Sequence, residues 1–187
     1  MPASAARAVS TATGVRYGGA SIALHWLMLV VIAVVYACIE LRENFPKGSD
    51  LREGLKTWHF MLGLCVLLLV AVRVVLRLAG STPPIQPAPP RWQVVLSRLM
   101  LVALYTLMLG MPLLGWLTLS AQGKPIPFFF IQLPALISEN KSVADWAKEL
   151  HEAGGTIGYF LIAMHAVAAL VHHYVWHDNT LRRMLPR

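Results

Sequence analysis

The chain is 187 residues long, 57% hydrophobic and only 13% charged. A water-soluble domain of this length carries about 25% charged residues. The apolar residues also fall in runs long enough to cross a bilayer, which excludes a large soluble core and makes one membrane domain the natural count. The net charge of +7 would suggest nucleic acid for a soluble protein, but the basic residues cluster at the ends of the apolar runs, where they set membrane orientation. No nucleic-acid partner is therefore expected.

Residues 1–20 are small and polar, with Arg7 and Arg16, and lack the apolar core of a cleaved signal peptide. They read as a flexible N-terminal arm, and residues 21–187 as a single domain. The first span runs from about Ile22 to Leu41, with His25 near its start. The polar stretch RENFPKGSDLREGLK that follows holds Pro46 and Gly48 and reads as a loop. The second span covers about Thr57 to Leu78, with His59 near its start and Arg73 and Arg77 toward its end. The connector AGSTPPIQPAPPR, with five prolines, cannot be helical and should be extended and semi-rigid.

The third span, about Trp92 to Leu119, has no histidine, and Gly110, Pro112 and Gly115 should kink it or allow tight packing. The next segment is too interrupted to span. Phe128–Ile131 and Trp146 look interfacial, and Ser142–Leu150 reads as a short amphipathic helix on the membrane surface. The fourth span opens near His151 and ends near Trp176, before a basic tail. Cys38 and Cys65 both lie in apolar runs; without a CxxC or CxxCH motif they read as small buried apolar residues. The fold expected is an all-α membrane protein, a four-helix transmembrane bundle with a short amphipathic helix before its fourth span.

Orientation follows from lysines and arginines. Arg7 and Arg16 mark the arm, Arg77 and Arg91 the proline connector, and Arg182, Arg183 and Arg187 the tail. These segments belong on one side, the cytoplasmic one. The other two loops are nearly charge-balanced and should be periplasmic, with the amphipathic helix among them.

On that topology the histidines fall into two level pairs. His25 and His165 lie toward the cytoplasmic face, His59 and His151 toward the periplasmic face. In a helix, fourteen residues at about 100° each leave His151 and His165 about 40° apart in direction and about 21 Å apart along the axis. That suits two stacked haems, each held by two imidazoles, and Gly154, Gly155 and Gly158 between them would let a flat macrocycle approach. Two imidazoles close both axial positions, which suits electron transfer. The plainer alternative for any one histidine is a hydrogen bond to a neighbouring helix, and a single zinc ion could not reach both pairs. His172, seven residues beyond His165, could replace it as a ligand or stand free to bond a quinone carbonyl and move a proton. It could equally anchor at the interface, as His173 and His177 are expected to do with Tyr174 and Trp176. Arg73 could meet a haem propionate or snorkel, and Arg77 is expected to snorkel.

Four stretches are similar to one known family: Leu24–Trp26 (LHW), Glu40–Pro46 (ELRENFP), VRVVLRL followed by TPPI, and His172–Pro186 (HHYVWHDNTLRRMLP). The chain resembles the bacterial cytochrome b561 family of small di-haem inner-membrane proteins, over nearly its whole length from Tyr17. The wider group includes the cytochrome subunits of formate dehydrogenases and nickel–iron hydrogenases. The resemblance implies four transmembrane helices in the bacterial inner membrane, two haem b groups and exchange with ubiquinone. It further implies a superoxide oxidase activity, superoxide becoming dioxygen at the periplasmic side while quinone is reduced. His25, His59, His151 and His165 match the family's ligand pattern without a gap; a close relative carries histidines in its third helix that this chain lacks, a departure that touches no ligand.

The enzyme expected is thus a superoxide:ubiquinone oxidoreductase with no catalytic side chain of its own, the electron leaving superoxide without binding to iron. Lys47, Arg52, Lys56, Lys124 and Lys148 could steer the anion, although Glu43, Asp50 and Glu53 stand among them. The main alternative is a haem-carrying anchor that relays electrons between a periplasmic donor and quinone. A haem-free structural or transport bundle is a third reading.

Overall fold

The computed structural model describes residues 16–186. Residues 1–15 of the expected arm lie outside them, as does Arg187. Four long helices dominate: α1 (Gly19–Leu41), α2 (Asp50–Ala79), α3 (Arg91–Ala121) and α4 (Lys141–Tyr174), each long and apolar enough to cross a membrane. A small hairpin, β1 (Ile126–Phe128) antiparallel to β2 (Ile131–Leu133), lies between α3 and α4.

Two helices begin earlier than their apolar pattern indicates. α2 starts at Asp50 because the Ser49 hydroxyl accepts from the Arg52 amide, and Asp50 and Glu53 oppose the positive end of the helix dipole. Half of the expected polar loop is therefore helix. α4 starts at Lys141, capped by the Asn140 side chain on the Val143 amide at 3.1 Å. The expected surface helix Ser142–Leu150 is helical but not separate. It forms the first turns of the fourth span, with Ala144 and Ala147 buried. Thirty-four residues rise about 51 Å, well beyond the hydrocarbon thickness of about 30 Å, so one end projects from the bilayer. α3 runs unbroken through Pro112, which is buried.

α1 packs on α2, α2 on α3 and α3 on α4. One buried cluster joins Leu24 and Met28 of α1 to Val70 of α2; another joins Leu64, Leu119 and Ile126. Leu68, Val102, Phe160 and Val167 point outward, which carries no penalty where the solvent is lipid.

Each end of the bundle has its own cover. At the first, the tail folds back: Tyr17 donates its amide to Arg183 O at 3.2 Å and the Trp26 indole donates to Met184 O at 2.7 Å. The Asn179 amide donates to Gln86 O at 3.1 Å, and the Gln86 amide returns a bond to the Asn179 side chain at 2.9 Å. Arg183 is buried, bonded to Pro83 O, with its guanidinium over the Tyr17 ring. The start of α1, the proline connector and the tail thus share one end, as the arginine pattern requires. At the second end the hairpin closes over Leu64 and Leu119 through buried Ile126, and Phe130 at its turn is fully exposed. Gly123 makes the turn out of α3 with φ +63°, where a Cβ would collide with Glu139.

Candidate functional site

The interior holds two facing pairs of histidines. His59 of α2 and His151 of α4 have ring centroids 6.1 Å apart with planes at 76°. His25 of α1 and His165 of α4 stand 6.3 Å apart, also at 76°. The four residues that sequence depth grouped are thus brought together two by two, and His165, not His172, faces His25. His59 and His151 are the tenth and eleventh residues of their helices, because both helices extend past the apolar zone.

At one pair the ring orientation is fixed by main chain. His59 Nδ1–H donates to the Val35 carbonyl and His151 Nδ1–H to the Met111 carbonyl, both at 3.0 Å. A carbonyl only accepts, so each bond sets the tautomer and leaves Nε2 with its lone pair free. Gly115 lets α3 come close to His151: a Cβ there would lie 3.3 Å from the imidazole Cε1.

These residues fit a b-type haem. With metal–imidazole bonds of about 2.0 Å and nitrogens about 1.1 Å from their ring centres, two rings on one ion have centroids about 6.2 Å apart. The observed spacings are 6.1 and 6.3 Å. A Cβ on Gly63 or Gly110 would meet no neighbouring atom, so the backbone there presents an open surface. Among the described residues no three His, Cys, Asp or Glu side chains converge as a conventional metal site would require.

Two of the helix-four glycines serve a different purpose from the one their position suggests. A Cβ on Gly154 would strike the Met111 sulfur, and one on Gly158 the Tyr36 hydroxyl. They admit side chains from α3 and α1, whereas Gly155 offers its carbonyl to Tyr36 at 2.9 Å.

His172 lies at the tail end. Its Nδ1 bonds the Asp178 carboxylate, with Thr180 Oγ1 at 3.4 Å, and its ring meets Trp176 edge-on at 4.6 Å. Burial pushes the Asp178 carboxyl up, but bonds from His172 and Thr180 outweigh it and hold the group below the usual carboxylate range. Arg73 is half-buried and Arg77 exposed. The charge of Arg73 bears on both His25 and His165.

At the hairpin end most of the basic residues are engaged. Arg52 donates twice to Glu43, at 3.1 and 3.0 Å, and to the carbonyls of Arg42 and Phe45. Its bonds hold the Glu43 carboxyl below its ordinary range. Lys56 pairs with Glu53 at 3.4 Å and Lys148 with Glu152 at 3.6 Å.

Sequence reasoning missed Val35, Met111, Tyr36 and Asp178. The first two act through carbonyls, which every residue carries, so no side-chain pattern marks them. Asp178 in HDNT could have been found, since aspartate six residues after His172 can fold back where a helix ends.

The prokaryotic cytochrome b561 family model matches residues 16–187. The chain is 40% identical to "Cytochrome b561 homolog 1" of Escherichia coli (strain K12) over 172 residues, 92% of this chain and 98% of the relative. It is 34% identical to "Probable superoxide oxidase CybB" of Yersinia pestis over 172 residues, 92% and 97% of the two chains. A third relative, "Cytochrome b561 homolog 2" of Escherichia coli (strain K12), is 29% identical over 176 residues, 94% of each chain. The family implies haem b and electron transfer, and with four apolar helices it implies a multi-pass bacterial membrane protein. The chain belongs to the prokaryotic cytochrome b561 family.

Proposed function

We propose that the chain is a di-haem superoxide oxidase of the bacterial inner membrane, oxidising superoxide to dioxygen and reducing ubiquinone. The observation that carries the reading is the pair of histidine pairs, at 6.1 and 6.3 Å, strung along one helix. His59 and His151 would hold one haem b and His25 and His165 the other. When bound, such a group cycles between ferric and ferrous iron and carries one electron without an open coordination site.

The chain's own residues do the rest. The Val35 and Met111 carbonyls make His59 and His151 stronger donors and stop their rotation. Half-buried Arg73 offers a cation to a propionate beside the His25–His165 pair. The proline connector, the tail and the stretch before α1 carry the arginine excess, which argues for that end, with both termini, in the cytoplasm. His172, its Nδ1–H held by the Asp178 carboxylate, is left with Nε2 at the cytoplasmic end, where it can take up a proton and then donate it to a quinone carbonyl. Two superoxide anions supply the two electrons, and two cytoplasmic protons complete the quinol. Among the surface cations named for steering, Lys47 and Lys124 alone have no carboxylate within 4.0 Å among the described residues.

The test is to purify the chain with haem, add a ubiquinone analogue and generate superoxide. Prompt quinone reduction, abolished by superoxide dismutase, is the result expected. Inertness until a dehydrogenase is supplied would replace the oxidase with an anchor subunit that relays electrons from a periplasmic donor. A colourless chain would leave only a haem-free bundle.

A further inference from the structure

α1 contributes no ligand to the His59–His151 pair, yet two of its consecutive residues touch both helices that do. The Val35 carbonyl accepts from His59 on α2 at 3.0 Å. Tyr36, the next residue, donates its hydroxyl to the Gly155 carbonyl on α4 at 2.9 Å, one turn beyond His151. The tyrosine enters α4 where Gly158 is buried, and a Cβ there would collide with its hydroxyl. Its ring lies against Tyr159 with centroids 4.3 Å apart, and Tyr159 donates to Glu40 of α1 at 2.8 Å.

Close helix packing joins α1 to α2, α2 to α3 and α3 to α4, but not α1 to α4. Across that seam the separation is therefore set by side chains. At the level of His59 and His151 it is set by Tyr36, seated in a hole that only glycine leaves, with the Tyr159–Glu40 bond beside it. At the other level it is spanned by His25 and His165 themselves.

We propose that Tyr36 is a positioning residue for the His59–His151 pair: with Val35 it makes one turn of α1 the common reference that fixes how far apart, and at what angle, those two imidazoles stand. The proposal rests on the di-haem reading and adds to it a cause for unequal behaviour of the two centres. Without the hydroxyl, α4 is free to shift against the α1–α2 pair, and the His151 imidazole loses alignment with His59. His25 and His165 stand on the same two helices about 15 Å further along, so a displacement centred at Gly155 reaches them weakened.

The experiment uses the full haem-loaded chain in detergent and the variant Tyr36→Phe, which keeps the ring contact and removes the hydroxyl. The oxidised protein is followed by electron paramagnetic resonance and redox titration, and the reduced protein by carbon monoxide binding. His151→Met identifies which component belongs to that pair. The expected result is that this component changes its resonance and potential more than the other does, and that its carbon monoxide occupancy rises roughly fivefold, the effect of one lost hydrogen bond. Gly158→Ala, which evicts the hydroxyl, changes the same component in the same direction. Retention of both signals unchanged in Tyr36→Phe overturns the proposal. So does an equal shift of both components, which would mean general loosening. A wild-type chain with fewer than two haems overturns the underlying reading, and shows this before any substitution is made.

Discussion

At 6.1 and 6.3 Å the two histidine pairs match in spacing, but they are held by different means. His59 and His151 are each tied through Nδ1 to a carbonyl of a neighbouring helix, and their end of the bundle is closed by a hairpin. His25 and His165 have no such bond among the described residues. They sit in the field of Arg73, beneath His172 at the end of α4 and a tail that carries Asp178 and buried Arg183. A ring with a fixed tautomer and rotation holds a metal group at one potential with little adjustment. A ring placed by packing responds to the charges around it. On the function proposed above, the first arrangement would serve entry of electrons and the second their exchange with a partner that also takes protons.

The largest expected effect tests whether the pairs are ligand pairs at all. His151→Ala should lower the haem content from two per chain to one, and His165→Ala should do the same, measured as pyridine haemochrome per mole of protein. The haem lost should differ, so the two variants should keep different potentials. If either variant retained both haems, the pairing would be wrong at that end.

The second prediction concerns the tail end alone. Asp178→Ala leaves His172 and the Thr180 amide without their acceptor in a buried setting and should cost about 2 kcal/mol, read from thermal unfolding in detergent. Because the bonded carboxyl sits below its ordinary range, it contributes stability that is complete above a pH of about 4 and is lost as the pH falls through the lowered value. Asp178→Asn should abolish that acid-side loss. Hydrogen exchange should quicken at the Tyr17 and Asn179 amides, which the folded-back tail protects, and not at the hairpin.

The unequal holding of the two pairs also marks what a sequence can and cannot express. Long apolar runs identified four helices, and equal depth grouped the four histidines as the structure groups them, because hydropathy and helical rise are properties of side chains and of a regular backbone. The carbonyls of Val35 and Met111 have no such signature. The starts of α2 and α4 were legible only as caps: Ser49 and Asn140 each precede a charged turn that mean hydropathy reads as loop. The hairpin at 126–133 passed unrecognised because PFFFIQLP pairs only three residues a side, and the tail because its buried Arg183 looks like any basic surface residue.

A third prediction isolates the tail-end pair. Replacing Arg73 with glutamine removes a cation that favours the reduced, less positive state of a nearby metal centre. The potential associated with His25 and His165 should fall by tens of millivolts, on the order expected for one charge in a partly screened interior. The His59–His151 potential should stay where it is. A fall in both would mean that Arg73 acts on the bundle as a whole, and the contrast between the ends would narrow.

The smallest effect belongs to the hairpin end. Lys56 and Lys148 are paired with Glu53 and Glu152, so each presents little net charge to an approaching anion. Lys47 and Lys124 are exposed and have no carboxylate within 4.0 Å among the described residues. If superoxide is drawn to this end, Lys47→Gln and Lys124→Gln should each lower its second-order rate by roughly twofold at low salt, and the loss should shrink as ionic strength shortens the screening length to about 8 Å. Glu53→Gln should act in the opposite sense, because it leaves Lys56 unopposed. Equal rates for all three variants across a salt series would mean that the fields of the individual lysines do not guide the anion, and that the hairpin end differs from the tail end in structure but not in its pull on the substrate.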